Sequence, residues 1–366
     1  MKRTSRIALA SATAVLSFGL INPVATATAD HAPATSQGEL VENRAKAAFR
    51  GAVAPSECGP TLLDAYVDQL IEGMTAEQLS FVVAHQDTLF DVPTYDALFF
   101  GTTGDADYAL DSHARQLQNA FRDLTRFWTD VDTGEIQLMA MRGDALLDRE
   151  RIVKTLTAMV EFGVIAPMTA AEIEEEAQVV SAFMREERTF HDNPLWTLNA
   201  FAFSGEGDPD PAIEALPDKL VFGDGIIEAY DAIGLGDVGP RVIMAHEYAH
   251  HVQYELGSFD SGPADPSEAT RRTELMADAM ATYSATHKKG FTLNKKRVVE
   301  AMVSFYTVGD CSFTSPGHHG TPLQRQRASA WGADLASSAR PASRVLPAKT
   351  VADQFDAALP GIIAGT

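Results

Sequence analysis

Positive charge is scarce in this chain. Lys and Arg total 29 against 50 Asp and Glu, for a formal net charge of −21. A surface of that sign repels nucleic acid and anionic lipid, so neither is expected as a partner. Cysteine is nearly absent, with only Cys58 and Cys311. That excludes a disulfide-dense mini-scaffold and a cysteine-only metal site. No apolar run after residue 21 is long enough to cross a bilayer, and no internal repeat is visible.

What is present begins with a leader-like segment. Lys2, Arg3 and Arg6 precede an apolar stretch from Ile7 to Ile21, followed by small residues ending Ala27-Thr28-Ala29. This is the layout of a secretory signal peptide over 1–29, which predicts a secreted, extracellular product without a membrane anchor. Its removal takes three basic residues and no acidic one, leaving the mature chain still more acidic. In an oxidising compartment Cys58 and Cys311 are expected to form a disulfide. The other reading places Cys58, in Ser56-Glu57-Cys58-Gly59, in a propeptide that ligates a metal in a latent form.

Along the remainder, 30–60 reads as disordered or propeptide-like, 61–190 as a helical N-terminal region, 191–336 as the functional core and 337–366 as a loosely attached tail. Thr75-x-x-Gln78 and Thr169-x-x-Glu172 are capping boxes that open helices. Apolar residues recur at three- and four-residue spacing over 112–129 and 148–162, which marks amphipathic helices. Strand signals are few: Ile136 to Met141, Trp196 to Phe203 and Leu220 to Phe222. The Gly-, Pro- and Asp-rich stretch 204–217 reads as an exposed loop with solvated acidic residues. The expected class is α+β, mostly helical, with a small sheet beside the main functional helix.

That helix carries the chemistry. Gly239-Pro240 is a plausible start and Gly257 a stop, and between them stands His246-Glu247-Tyr248-Ala249-His250. His246 and His250 project from one face one turn apart, so both imidazoles can share one zinc ion. Glu247, rotated by about 100°, can reach a water at that metal without ligating it. A third ligand is required. A third His ten positions after the first, preceded by Gly, would make a metzincin, but Leu256 and Gln253 stand there. A second helix, opened by Asp265-Pro266-Ser267-Glu268 and expected to run to about Lys289, offers Glu274 instead. Asp278, one turn on, would accept a hydrogen bond from a ligand imidazole, as metal-bound His commonly requires. Asp278 paired simply with Arg271 or Arg272 is the plainer alternative.

Three blocks resemble the neutral zinc metallopeptidases of bacteria, within the gluzincin class that includes thermolysin. They are His246-Glu247-Tyr248-Ala249-His250-His251-Val252-Gln253, Arg271-Arg272-Thr273-Glu274-Leu275-Met276-Ala277-Asp278 and His319-Gly320-Thr321-Pro322-Leu323-Gln324-Arg325. The resemblance spans roughly residues 127–334. It departs at Ala279, where many relatives carry Cys, and between Trp128 and Trp196, which is more helical than the family's minimal core. It implies a zincin-like fold, zinc held by His246, His250 and Glu274, Glu247 as general base, and peptide or protein substrates laid along an edge strand at Trp196 to Phe203. By the same analogy His319 would be the donor to the oxyanion, ahead of His318, Tyr283 and Tyr306. The rival expectation is a secreted, non-catalytic binding or scaffold protein whose zinc is closed off by a fourth ligand such as His251.

Overall fold

The structure is a computed structural model that describes residues 9–11, 60–310, 315 and 317–365. The expected disulfide, and nearly all of the leader and of the 30–60 segment, lie outside the described residues.

The N-terminal half is built from capped helices. Helices α1 (Leu62–Glu72) and α2 (Ala76–Phe100) begin at Thr61 and Thr75, each in a reciprocal capping box with the third residue of its helix. Helix α3 (Ala114–Phe127) buries Leu117, Ala120, Leu124 and Phe127, the stripe that the periodicity predicts. After β2 (Gln137–Met141) come α4 (Arg149–Glu161), capped by Asp148, and α5 (Ala170–Glu186), capped by the Thr169–Glu172 box. A short α6 (Arg188–His191) leads into β3 (Ala200–Phe203). The strand is shorter than expected, because Pro194–Thr197 coil into a 3₁₀ turn capped by Asn193, with the Trp196 indole donating to the Phe190 carbonyl at 2.6 Å. The loop that follows is not wholly exposed. Asp210 caps a one-turn helix, α7 (Pro211–Glu214), whose Ile213 is fully buried.

The sheet continues with β4 (Lys219–Gly223) and has the order β1-β3-β4-β2, where β1 is Leu9–Ser11. Strands β3 and β4 are antiparallel, from Ala200 opposite Phe222 to Phe203 opposite Lys219, and β2 runs parallel to β4. Leu9–Ser11, inside the expected leader, pair antiparallel with the outer edge of β3 and lie against the helix Gly239–Glu255. All three substantial strands were foreseen from sequence; the side chain of Lys219 was not. Its ammonium is buried and donates to the carbonyls of Ala97, Leu98 and Gly101 at 3.2, 2.6 and 2.7 Å, closing the end of α2. All three of its donors are satisfied, as are helix-end carbonyls that have no partner within the helix.

The C-terminal half stacks α8 (Asp224–Ala232), α9 (Gly239–Glu255), α10 (Pro266–Thr286), α11 (Lys295–Thr307) and α12 (Pro322–Ser338). Helix α9 ends as expected, with Leu256 as its cap and Gly257 at φ 62°. Helix α10 starts on Asp265, whose carboxylate accepts from the amides of Ser267 and Glu268. Glu268 pairs with Arg271 rather than closing a capping box, and the helix stops at Thr286, one turn before Lys289. Small residues hold α10 close to α12: a Cβ on Gly332 would lie 2.0 Å from the Ala279 carbonyl oxygen, and Thr282 and Ser329 share a hydroxyl contact of 2.6 Å.

The expectation of a loose tail is wrong. Helix α13 (Ala348–Ala364) buries Val351, Ala352, Phe355 and Ile362, with Phe355 edge-on to Trp331 at 5.5 Å. Asp356 grips Arg272 through two 2.7 Å hydrogen bonds. The apolar residues recur one helical face apart, a period masked in the sequence by the surrounding Ala and Pro. One hydrophobic core runs from Leu63 to Ile362, with no break near residue 190. Among the described residues no helix is long and apolar enough to cross a membrane.

Candidate metal centre

Helix α9 is buried along almost its whole length, so its polar side chains must find partners inside the protein. The helical spacing sets the imidazoles of His246 and His250 on one side, and their Nε2 atoms lie 3.0 Å apart. The carboxylate of Glu274, from α10, faces both, with Oε2 3.3 Å from His246 Nε2 and Oε1 3.4 Å from His250 Nε2. His246, Glu247 and His250 are fully buried and Glu274 is 2% exposed. The ring of His250 lies 6.0 Å from that of Phe259, which is 39% exposed.

The other ring nitrogens decide what the triangle can hold. His246 Nδ1 is 2.7 Å from Asp278 Oδ1, and His250 Nδ1 is 2.9 Å from Gln253 Oε1. Each partner is an acceptor, which assigns the proton to Nδ1 and leaves a lone pair on each Nε2. The Gln253 amide is oriented by its own donation to the Thr273 carbonyl at 2.8 Å. Two lone pairs and a carboxylate therefore converge on one point, and Glu274 Oε2 is a buried acceptor without a hydrogen bond. A cation satisfies all three at once; neutral protein groups would leave them in mutual repulsion. His246, His250 and Glu274 could together hold a metal ion.

A wider set of charged groups surrounds the triangle. Arg325, from α12 and fully buried, donates to both oxygens of Asp278 at 2.7 and 2.8 Å and stands 3.8 Å from Glu274. Burial opposes the charge of Glu274, but the neighbouring imidazoles, His319 foremost, hold the carboxyl well below its ordinary range. Burial likewise opposes the charge of Asp310, yet His318 and His319 depress its pKa strongly. Asp310 organises the adjoining loop: it accepts from His318 Nδ1 at 2.7 Å and from the His319 backbone at 2.6 Å, with His319 Nδ1 at 3.3 Å. Gly320 follows at φ 102°, where a Cβ would press on Leu275 at 2.9 Å, so only glycine lets this loop lie against α10 beside Glu274. For His319 itself burial lowers the pKa, but Glu274 and Asp310 together raise it.

The residues named from sequence thus fall into two groups. His246, His250, Glu274, Asp278 and His319 come together from α9, α10 and the loop before α12, and Glu247 is buried on α9 next to His246 in the chain. Asp278 meets His246 and Arg325, whereas Arg271 and Arg272 pair with Glu268 and Asp356. His251 points away, its Nε2 3.1 Å from the Lys219 carbonyl oxygen, and closes no fourth position. Tyr283 is withdrawn as an oxyanion donor: it packs against Trp128, and its hydroxyl accepts the Leu346 amide at 2.8 Å. Gln253 and Asp310 were missed as participants. The His250–Gln253 spacing of three on one helix was the available signal for the first. Asp310 offered none without the loop geometry. Neither protein-family profiles, nor curated proteins, nor solved structures yield a match to this chain.

Proposed function

We propose that the protein is a secreted zinc-dependent peptidase with a zincin-like fold. The reading rests on one observation: two Nε2 lone pairs from the helix that also carries Glu247 converge with a buried Glu274 carboxylate whose Oε2 has no hydrogen bond. The donor atoms stand 3.0–3.4 Å apart, close to the separation of about 3.3 Å that bonds of 2.0–2.1 Å give around a tetrahedral zinc ion. His and carboxylate donors suit zinc, and three protein ligands leave a position for water. When bound, zinc supplies Lewis acidity, making water nucleophilic at neutral pH and polarising a carbonyl.

The chain's own groups do the rest. A Glu247 carboxylate oxygen takes the proton of the attacking water as the new C–O bond forms, then returns it to the amine nitrogen as the C–N bond breaks. The ring of His319, held by Asp310, donates toward the substrate carbonyl oxygen as charge gathers there. Asp278 and Gln253 keep the protons of the two imidazoles on Nδ1. Loss of residues 1–29 takes Leu9–Ser11 off the outer edge of β3 and off α9, and an extended peptide then pairs with Ala200–Phe203 in their place.

The test is Glu247→Gln in the chain lacking residues 1–29, assayed by peptide-library digestion and elemental analysis. Turnover should fall by about 10²–10⁴-fold with zinc content unchanged. Retained turnover would overturn the role of Glu247. In parallel, Glu274→Ala should lose zinc, and full occupancy would remove it from the ligand set.

A further inference from the structure

A second concavity lies apart from the metal centre, and its lining includes none of the residues that build that centre. It is an open cleft of about 1170 Å³ between α3 and the first turns of α9 and α11. Five guanidiniums line it, from Arg115, Arg122, Arg126, Arg241 and Arg297, in a chain whose net charge is −21. Arg115, Arg122 and Arg126 fall on one face of α3, spread over about 16 Å of helix. Arg241 and Arg297 form the opposite wall.

Local carboxylates neutralise only part of this charge. Asp237 pairs with Arg297 at 2.9 Å, and Asp123 lies 4.0 Å from Arg126. Arg115, Arg122 and Arg241 have no carboxylate within 4.0 Å among the described residues. Arg122 donates to the Asn119 side-chain Oδ1, and Arg241 lies over the Phe291 ring at 4.6 Å. Arg241 is half-buried, and its pKa is pulled down first by burial and then by the like charge of Arg297. Three carboxylates, Asp111, Asp123 and Asp237, share the lining with the five guanidiniums, which leaves an excess of positive charge that an anion in the cleft would meet.

We infer that this cleft binds a compact, multivalent oxyanion of the phosphate type, gripped by Arg115 and Arg122 from α3 and by Arg241 from α9. Apart from His113, which is paired with Asp231, every basic residue lining it is Arg, whose planar fork matches paired phosphate oxygens. Three guanidiniums on two walls exceed what a single carboxylate can engage. A long polyanion is disfavoured, because beyond the cleft it meets a strongly acidic protein. Free polyphosphate and a phosphorylated small molecule share this chemistry.

The probe is inorganic tripolyphosphate, titrated calorimetrically into the full chain at ~150 mM salt. One site is expected, weakened by about tenfold or more in Arg241→Gln and in Arg122→Gln, with circular dichroism confirming that both variants fold. His246→Ala, which destroys the metal centre, should bind the probe as the unaltered chain does. This separates the cleft from chelation at that centre and makes the result independent of peptidase activity. Sulfate, carrying one tetrahedral group, should bind more weakly, and adenosine triphosphate as tightly as tripolyphosphate if the nucleoside adds nothing. No binding at ~1 mM probe, undiminished binding in both Arg variants, loss of binding in His246→Ala, or sulfate equal to tripolyphosphate would each overturn the proposal.

Discussion

Two buried carboxylate–guanidinium pairs sit in different halves of the molecule, and they behave differently. In the N-terminal half Asp96, on α2, is bound by Arg151 and by the Thr155 hydroxyl at 3.4 Å, and Arg151 also lies over the Tyr108 ring at 5.2 Å. Its partners close around it. In the C-terminal half Asp278 is bound by Arg325 through two hydrogen bonds, but it also holds His246, and the chain of contacts ends in two imidazole lone pairs and an unsatisfied Glu274 oxygen. Burial alone marks neither as a functional site. The distinction is whether the polar network terminates within the protein or is left open toward one point.

The largest effect that could break this comparison is a matched pair of substitutions. Arg325→Leu and Arg151→Leu each strand a buried carboxylate and should each cost on the order of 3–5 kcal/mol of stability, read by chemical denaturation. Only Arg325→Leu should also weaken zinc binding, because only Asp278 holds a ligand imidazole. Equal zinc affinity in the two variants would erase the difference between the networks. Smaller, and aimed at the open network, is Gln253→Leu. Without its acceptor the His250 Nδ1 proton is no longer fixed, and zinc affinity should fall about 10–100-fold in a chelator competition. An unchanged affinity would leave Gln253 with a structural role only.

The smallest test concerns pH and the closed half. Burial, reinforced by Asp87, pushes Asp91 on α2 up to about 7. An unfolded aspartate releases its proton near pH 3.9, so between about pH 4 and 7 the folded state holds a proton that the unfolded chain has lost. This group's stabilising contribution is therefore complete below that window and is lost as pH rises through it. Asp91→Asn should flatten the decline, read as a smaller difference in melting temperature between pH 4.5 and 7.5. An unaltered slope would move the origin of the decline to another group.

The helices of the candidate metal centre were legible because their information is local. His246, Glu247 and His250 occupy one turn, Gly239-Pro240 and Gly257 bound it, and Asp265-Pro266 announces the helix that carries Glu274. Long-range partners were not legible. Nothing in the sequence singles out Arg325 over Arg271 or Arg272 as the partner of Asp278, since the choice depends on how α12 crosses α10. Gln253 was read only as the absence of a metzincin glycine, although its place three residues after His250 allowed the contact it makes. The last helix was overlooked because Ala and Pro dilute its apolar stripe, and the short start of β3 because Pro194 and Asn193 favour a turn over the extended run that the aromatic residues suggested.

The close seating of α10 on α12 has a consequence for ion choice. At Gly332 the two backbones are already in contact with the side chains removed, so Glu274 is carried by a helix that has nowhere to retreat. The aperture among the three donors is therefore set by helix spacing rather than by the guest. A larger, oxygen-seeking ion such as calcium would need longer bonds, and to reach them it would have to displace a helix already in backbone contact with its neighbour, so the spacing favours a small ion if one is held there.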